Sequence, residues 1–377
     1  MDPRLNDAET DLRDRIREAA TVVAAAASDI DRGGATAVDA VGSLAAAGAL
    51  GVCSPEASGG TGGGLVELAL AGEEIGAASA SVGVIVVGHL VAGSLIDVLG
   101  SDAQKQEWLP AVAAGTTLVA LATDSGGSLL DAPGVGATAT PEGDGLRLDG
   151  TARAVAGATL ADLLVVPVQA ADTVMVAVVD AHGDGVTVGA EAAKLGLNGA
   201  GLATVEFSGV RVPPTSVLTS ADVVVALAAA ADGARIGNAA VSVGIGRAAL
   251  DVSTAYVIAS EDGLDREQSV QWMLADMATE TDAARLLTWY AASRTSAAEL
   301  REAAPMARLL AADAAVRASR SAVQIFGTMG NERGAGIERL YRDAKAMEIH
   351  HGASESQRLA VARELLPDLF EDAGRPW

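Results

Sequence analysis

The chain has 377 residues, 50% of them hydrophobic, and carries a formal net charge of −23. That length can bury a sizeable core and divide into two or three domains. So acidic a balance excludes nucleic acid and anionic membranes as partners, because there is no basic footprint, and a single cysteine excludes an intramolecular disulfide framework.

The first residues, Met1-Asp-Pro-Arg-Leu5, are charged and lack an apolar stretch. No signal peptide is expected, and a soluble cytoplasmic protein follows. Apolar residues at helical spacing predict helices over Asp7–Ala27, Leu65–Ile75 and Ala103–Ala114. The glycine-rich stretch from Gly59 to Gly64 is a loop between two of them. Cys53, in an apolar setting, reads as a small hydrophobe. Ser81–His89 is apolar but short and interrupted by glycine and histidine, which predicts a buried helix, not a membrane span.

From residue 118 the period changes. Leu118–Leu121, Arg147–Asp149, Leu163–Val168, Val174–Val179 and Thr204–Phe207 are short runs separated by turns such as Glu142-Gly-Asp-Gly and His182-Gly-Asp-Gly. They predict an antiparallel sandwich or barrel. From Ala221 onward the spacing is helical again, and Ser354 three residues before Gln357 fits a capping box on the last helix. The fold class is therefore α+β, with expected domains at 1–117, 118–220 and 221–377. Alanine, valine, leucine and isoleucine must build the core, since aromatics are only 3%, and 43 glycines let helices approach closely.

Several ordered motifs then carry a resemblance. Gly100-Ser-Asp-Ala-Gln-Lys-Gln-Glu-Trp-Leu-Pro110, Ala161-Asp-Leu-Leu, Lys194-Leu-Gly-Leu, Arg235-Ile-Gly-Asn and the segment Ser321 to Arg358 resemble the acyl-CoA dehydrogenase family along nearly the whole chain. The resemblance implies a helical domain, a β-domain and a C-terminal four-helix bundle, assembled as a homotetramer or homodimer. It also implies FAD between the β-domain and the bundle, and an acyl-CoA or acyl-carrier-protein thioester as substrate. In the family a carboxylate removes the α-proton while a hydride leaves Cβ for the flavin.

The resemblance assigns residues one by one. His351 stands at the position of the catalytic glutamate, preceded by His350, and the alternative glutamate position next to the substrate-side Arg235 holds Ala234. His89 falls on the helix that borders the acyl cavity in the family. Thr123 and Ser128 match a flavin-contacting loop that here lacks its proline; Gln324, Gly327 and Gly330 match a nucleotide-facing turn; Glu355 is retained. The "W-I-T" motif reads Ala154-Val155-Ala156, and the "R-x-x-F-G" segment is replaced by a stretch carrying Glu261, Asp262 and Asp265. The FAD grip is therefore expected to be weaker than the family's, since acids repel a pyrophosphate.

Three functions follow. The first is FAD-dependent α,β-dehydrogenation with His351 as base, or with the site completed by a partner subunit. The second is a non-catalytic subunit of a mixed oligomer with another acyl-CoA dehydrogenase subunit. The third is a FAD-free, non-redox enzyme moving protons with His89, His350 and His351. A histidine held before a helix N-terminus stays neutral and can act as a general base near pH 7.

Overall fold

The computed structural model describes residues 5–123, 135–334 and 336–366. Ser128 lies outside the described residues. Five helices come first: α1 (Asp7–Asp31), α2 (Val38–Ala46), α3 (Leu65–Ala78), α4 (Ala80–Leu99) and α5 (Asp102–Ala113). Helix α1 starts with a capping box, Asn6 accepting from the Glu9 amide at 2.9 Å and Glu9 accepting from the Asn6 amide at 2.8 Å. The apolar Ser81–His89 stretch lies inside α4 as expected. Helices α4 and, further on, α6 (Val223–Ala259) are each long and apolar enough to cross a membrane, and most of each apolar window is buried inside the protein.

Eight strands follow among the described residues: β1 (Val119–Leu121), β2 (Ala137–Glu142), β3 (Gly145–Val155), β4 (Leu163–Ala170), β5 (Thr173–Asp180), β6 (Val186–Val188), β7 (Ala203–Val212) and β8 (Val217–Leu218). They form one sheet in the order β6-β7-β3-β2-β4-β5-β8, with β1 beside β4. The sheet is mixed, within the antiparallel sandwich or barrel that the sequence suggested. Both β1 and β2 pair with β4 in parallel, and the other pairings are antiparallel. The hairpin turns were readable locally, whereas β1–β4 pairing joins residues more than 40 positions apart and leaves no local mark. Strand β4 is central, and its segment Leu164–Val168 is buried throughout, as a strand covered on both faces must be.

The C-terminal part has three long helices, α6, α7 (Gln268–Ala292) and α8 (Ala297–Phe326), with the shorter α9 (Ile337–Met347) and α10 (Ser354–Leu365) against α8. The fourth position of the expected bundle is thus shared between two short helices. Small residues bring α3 and α6 together: a Cβ on Gly76 would lie 2.6 Å from the Val241 carbonyl oxygen, and one on Gly244 2.4 Å from that of Glu73. Either alanine would force the two backbones apart.

This close contact also carries charge. Glu73 and Glu74 of α3 are buried. Arg247 of α6 meets Glu73 at 2.9 Å and Glu74 at 2.7 Å; Arg285 of α7 meets Glu73 at 3.0 Å; Arg17 of α1 meets Glu74 at 2.8 Å. Four helices from both ends of the chain are therefore pinned at one point. Burial alone would raise the Glu74 carboxyl, but bonds to Arg247 and Arg17 outweigh it and bring it down to about 2.

Candidate active site

The segment between α9 and α10 carries His350 and His351. Helix α9 ends at Met347, and the chain reverses through His351 at φ 52° and Gly352 at φ 96°. Left-handed backbone suits the glycine; in a histidine it costs roughly 1–2 kcal/mol and marks a position held by its surroundings. What holds it is Arg308, on the buried face of α8. Its guanidinium donates to the carbonyls of Met347 and of His350, the latter at 2.8 Å. The side chain is only 1% exposed, and burial pushes its pKa down to about 10. The turn closes with the Ser354 amide donating to the Glu348 carbonyl at 3.0 Å.

The two imidazoles pack edge to face with centroids 4.7 Å apart. His350 Nε2 and His351 Nδ1 are buried without a hydrogen-bond partner among the described residues. Burial first, and then the Arg308 charge, push His351 down to about 4. His350 is lowered further by burial, by His351 and by Arg308. Both rings are neutral at pH 7, as the sequence suggested, but the causes are burial and a buried arginine. A base of pKa about 4 is as basic as an ordinary glutamate carboxylate at ~4.3.

The turn is linked to α6. Gln357 of α10 donates to the Gly352 carbonyl at 3.2 Å and accepts from Arg235 Nε at 3.2 Å. Arg235 in turn pairs with Asp232 at 2.6 Å. One correction follows. Gln357 serves Arg235 and Gly352 and not a capping box: the N-cap of α10 is Ala353, with no side-chain cap. Arg235, assigned to substrate, reaches Asp232 and Gln357 and so ties the His351 turn to α6.

On the same stretch of α6 lies an apolar cavity of about 380 Å³ between α3, α4, α6 and the start of α8. Leu68, Val91, Leu95, Ala226, Ala230 and Gly233 line it. Its volume is that of a small-molecule site. Cys53 also lines it, as a thiol, because burial pushes its pKa up to about 12. Gly233 is two residues from Arg235, so this cavity and the histidine turn share one helical turn of α6.

His89 does not join them. It is 1% exposed, its Nε2 lies 3.1 Å from the Val112 carbonyl, and its Nδ1 accepts from the Val119 amide at 3.2 Å. The accepting Nδ1 fixes the tautomer, Nε2–H donating. With both nitrogens bonded to main chain, His89 is a staple between α4, α5 and β1 and has no nitrogen left to carry a proton. Burial pushes it down to about 4. A group depressed in the folded state and near 6.5 unfolded gives stability that is complete above pH 6.5 and is lost as pH falls toward 4. The loss is about 3 kcal/mol at ~1.4 kcal/mol per unit. Urea unfolding across that window should show a shallower pH dependence in His89→Gln than in wild type; equal slopes would contradict the assignment.

The residues assigned to cofactor fall in two places. Thr123 follows β1 and is 3% exposed. Ala154, at the position of the family's tryptophan, is exposed at φ 54° in an irregularity of the β3–β7 pairing between Ala152 and Val155, and Ala156 is buried. At the other end of α8, Gln324 lines a cavity of about 620 Å³ with Arg317, Arg320, Asn331 and Tyr341, and with the acids Asp276, Glu280 and Glu338. Next to it Gly327 turns at φ 58°, ψ −128°, a conformation for glycine only. A Cβ on Gly330 would lie 2.5 Å from the Val323 carbonyl oxygen. Glu355 is exposed in the first turn of α10. Arg317 is paired with Glu280 at 2.6 Å, so Arg320 and the glycine turn are the groups there that would meet a phosphate-bearing dinucleotide. Arg308 was missed from the sequence, although one arginine among Ala304, Ala307, Ala311 and Ala315 on a buried helical face is itself a signal.

Comparison with known proteins agrees with this architecture. Residues 6–116 match the acyl-CoA dehydrogenase N-terminal domain and residues 224–366 the acyl-CoA dehydrogenase C-terminal domain. The human mitochondrial short-chain specific acyl-CoA dehydrogenase is 36% identical over 325 residues, covering 83% of this chain and 78% of that protein. The acryloyl-CoA reductase (NADH) of Anaerotignum propionicum is 32% identical over 335 residues, covering 86% and 85%. The butyryl-CoA dehydrogenase structure from Megasphaera elsdenii superposes with a TM-score of 0.88 at 26% identity, covering 97% of this chain and all of the other (100%). On the sequence matches to both helical domains and on these relatives, the chain belongs to the acyl-CoA dehydrogenase family.

Proposed function

We propose that the protein oxidises an acyl thioester at Cα–Cβ, with His351 as the base and FAD as the hydride acceptor. The observation that carries this is the His351 turn: a left-handed, neutral imidazole with an unpartnered buried nitrogen, tied through Gln357 and Arg235 to the wall of an apolar cavity. The cavity takes the acyl portion of the substrate, and burial there excludes water from the reacting carbons. His351 accepts the α-proton as the Cα–H bonding pair becomes the new double bond. The Cβ hydrogen leaves as hydride in the same elimination.

FAD, when bound, supplies hydride acceptance. Gln324 and the turn through Gly327 and Gly330, with Arg320, would hold its phosphate-bearing part, and Thr123 its other end. The family's stacking tryptophan is alanine here, so the flavin ring would lack that stacking contact. The exposed acids Glu261, Asp262 and Asp265 favour a second reading, in which a different subunit completes the site. Arginines on such a partner would meet them.

Colour separates these readings. Protein purified alone should carry FAD, seen as flavin absorbance near one equivalent per chain. Flavin bound only on co-expression with a second family member would shift the reading to the mixed oligomer. Colourless protein that takes up no FAD in either preparation would end both.

A further inference from the structure

A third cavity, of about 430 Å³, lies where the end of α1, the loop before β7 and the start of α9 meet. In a chain of net charge −23 it gathers five cationic side chains, Arg32, Lys194, Arg333, Arg339 and Arg342, against two carboxylates, Asp31 and Glu338. Both carboxylates are turned to Arg342, Asp31 at 2.6 Å and Glu338 at 3.3 Å. Arg32 is paired with Asp29 at 2.6 Å and Lys194 with Glu191 at 2.5 Å. Arg333 and Arg339 make no ion pair or hydrogen bond among the described residues; Arg339 Nη1 is buried without a hydrogen-bond partner, and the Arg339 charge acts at longer range on Asp31 and Asp343. A buried guanidinium nitrogen facing no acceptor is costly, and a charged acceptor is what would satisfy it.

The backbone points the same way. Helix α9, eleven residues long, begins at this cavity; its N-cap is Gly336, at φ 80°, which supplies no side-chain cap. Its first amides and the positive end of its dipole face the space that Arg339 borders. The loop carrying Lys194 is fixed from below, where Asp343 accepts the Leu197 amide at 2.7 Å and Arg342 donates to the Leu195 carbonyl at 2.9 Å. The cations are therefore mounted on packed elements.

We propose that this cavity binds the phosphate group of a small phosphorylated molecule, with Arg339, Arg333 and the α9 amides as the donors. Guanidinium forks match phosphate oxygens two at a time. The site adjoins the cavity beside Gln324, with which it shares Glu338 and Arg342.

Calorimetry with inorganic phosphate and with pyrophosphate on the full chain tests it. Wild type should bind one equivalent of either or both, more weakly as salt rises. Arg339→Gln and Arg333→Gln should each weaken binding at least tenfold, while Arg211→Gln, exposed on β7, should leave it unchanged. Arg333 is exposed, so its variant answers the question even if Arg339→Gln does not fold. No binding at millimolar anion, or binding that depends on Arg320 and not on Arg333 or Arg339, would overturn the proposal. Binding of pyrophosphate alone would identify a diphosphate ester as the ligand class; binding of both would identify a monoester.

Discussion

His351→Ala should slow removal of the α-proton by about 10²–10⁴-fold, the usual contribution of a positioned general base. The direct readout is exchange of the α-hydrogen of an acyl thioester in D₂O, which reports proton transfer without requiring hydride transfer. His351→Glu should restore much of the rate, since the replaced group has about the basicity of a carboxylate. The sign of the pH dependence follows from the depressed pKa. A base must be unprotonated, so the rate should rise with pH through about 4 and be flat from pH 6 to 8. An unperturbed imidazole would instead give a rise centred near 6.5. Exchange unchanged in His351→Ala would remove this residue from the mechanism.

Glu74→Ala should cost about 3–5 kcal/mol of stability, among the largest effects of any single change in the chain. The replaced carboxylate receives Arg17 and both guanidinium nitrogens of Arg247, and its loss leaves Arg247 with Glu73 alone. A group brought down to about 2 contributes stability that is complete above pH 4.5 and is lost as pH falls through 2. Wild type should therefore lose stability in that range, and Glu74→Ala should lose less. Denaturant midpoints at pH 7 and pH 3 provide the comparison. A variant within ~0.5 kcal/mol of wild type at pH 7 would show that the buried cluster adds nothing net, which is known for some buried ion pairs.

Local patterns made much of the fold legible. Helix α1, the helix over Leu65–Ala78 and the buried α4 follow from spacing and apolar run length, and the strands Leu163–Ala170 and Thr173–Asp180 from their β-branched content. What escaped notice depends on distant partners. The parallel pairing of β4 with β1 and β2 has no local signature. His89 reads as a proton carrier until β1 places the Val119 amide on its Nδ1. Ser354 and Gln357 have capping-box spacing, but a buried guanidinium competes for the glutamine. Arg308 acts on carbonyls 39 and 42 positions away, beyond any sequence window. The family motifs pointed to the His351 turn. Only the structure shows that it is a strained turn with two neutral imidazoles.

The measurement that bears most directly on the account is anaerobic mixing of the FAD-loaded protein with an acyl-CoA, followed by flavin absorbance. Wild type should bleach as the hydride is transferred. His351→Ala should retain its flavin and its colour, with bleaching slowed at least a hundredfold. Bleaching at equal rates in the two proteins, or none in wild type with any acyl thioester despite stoichiometric FAD, would contradict His351-dependent dehydrogenation.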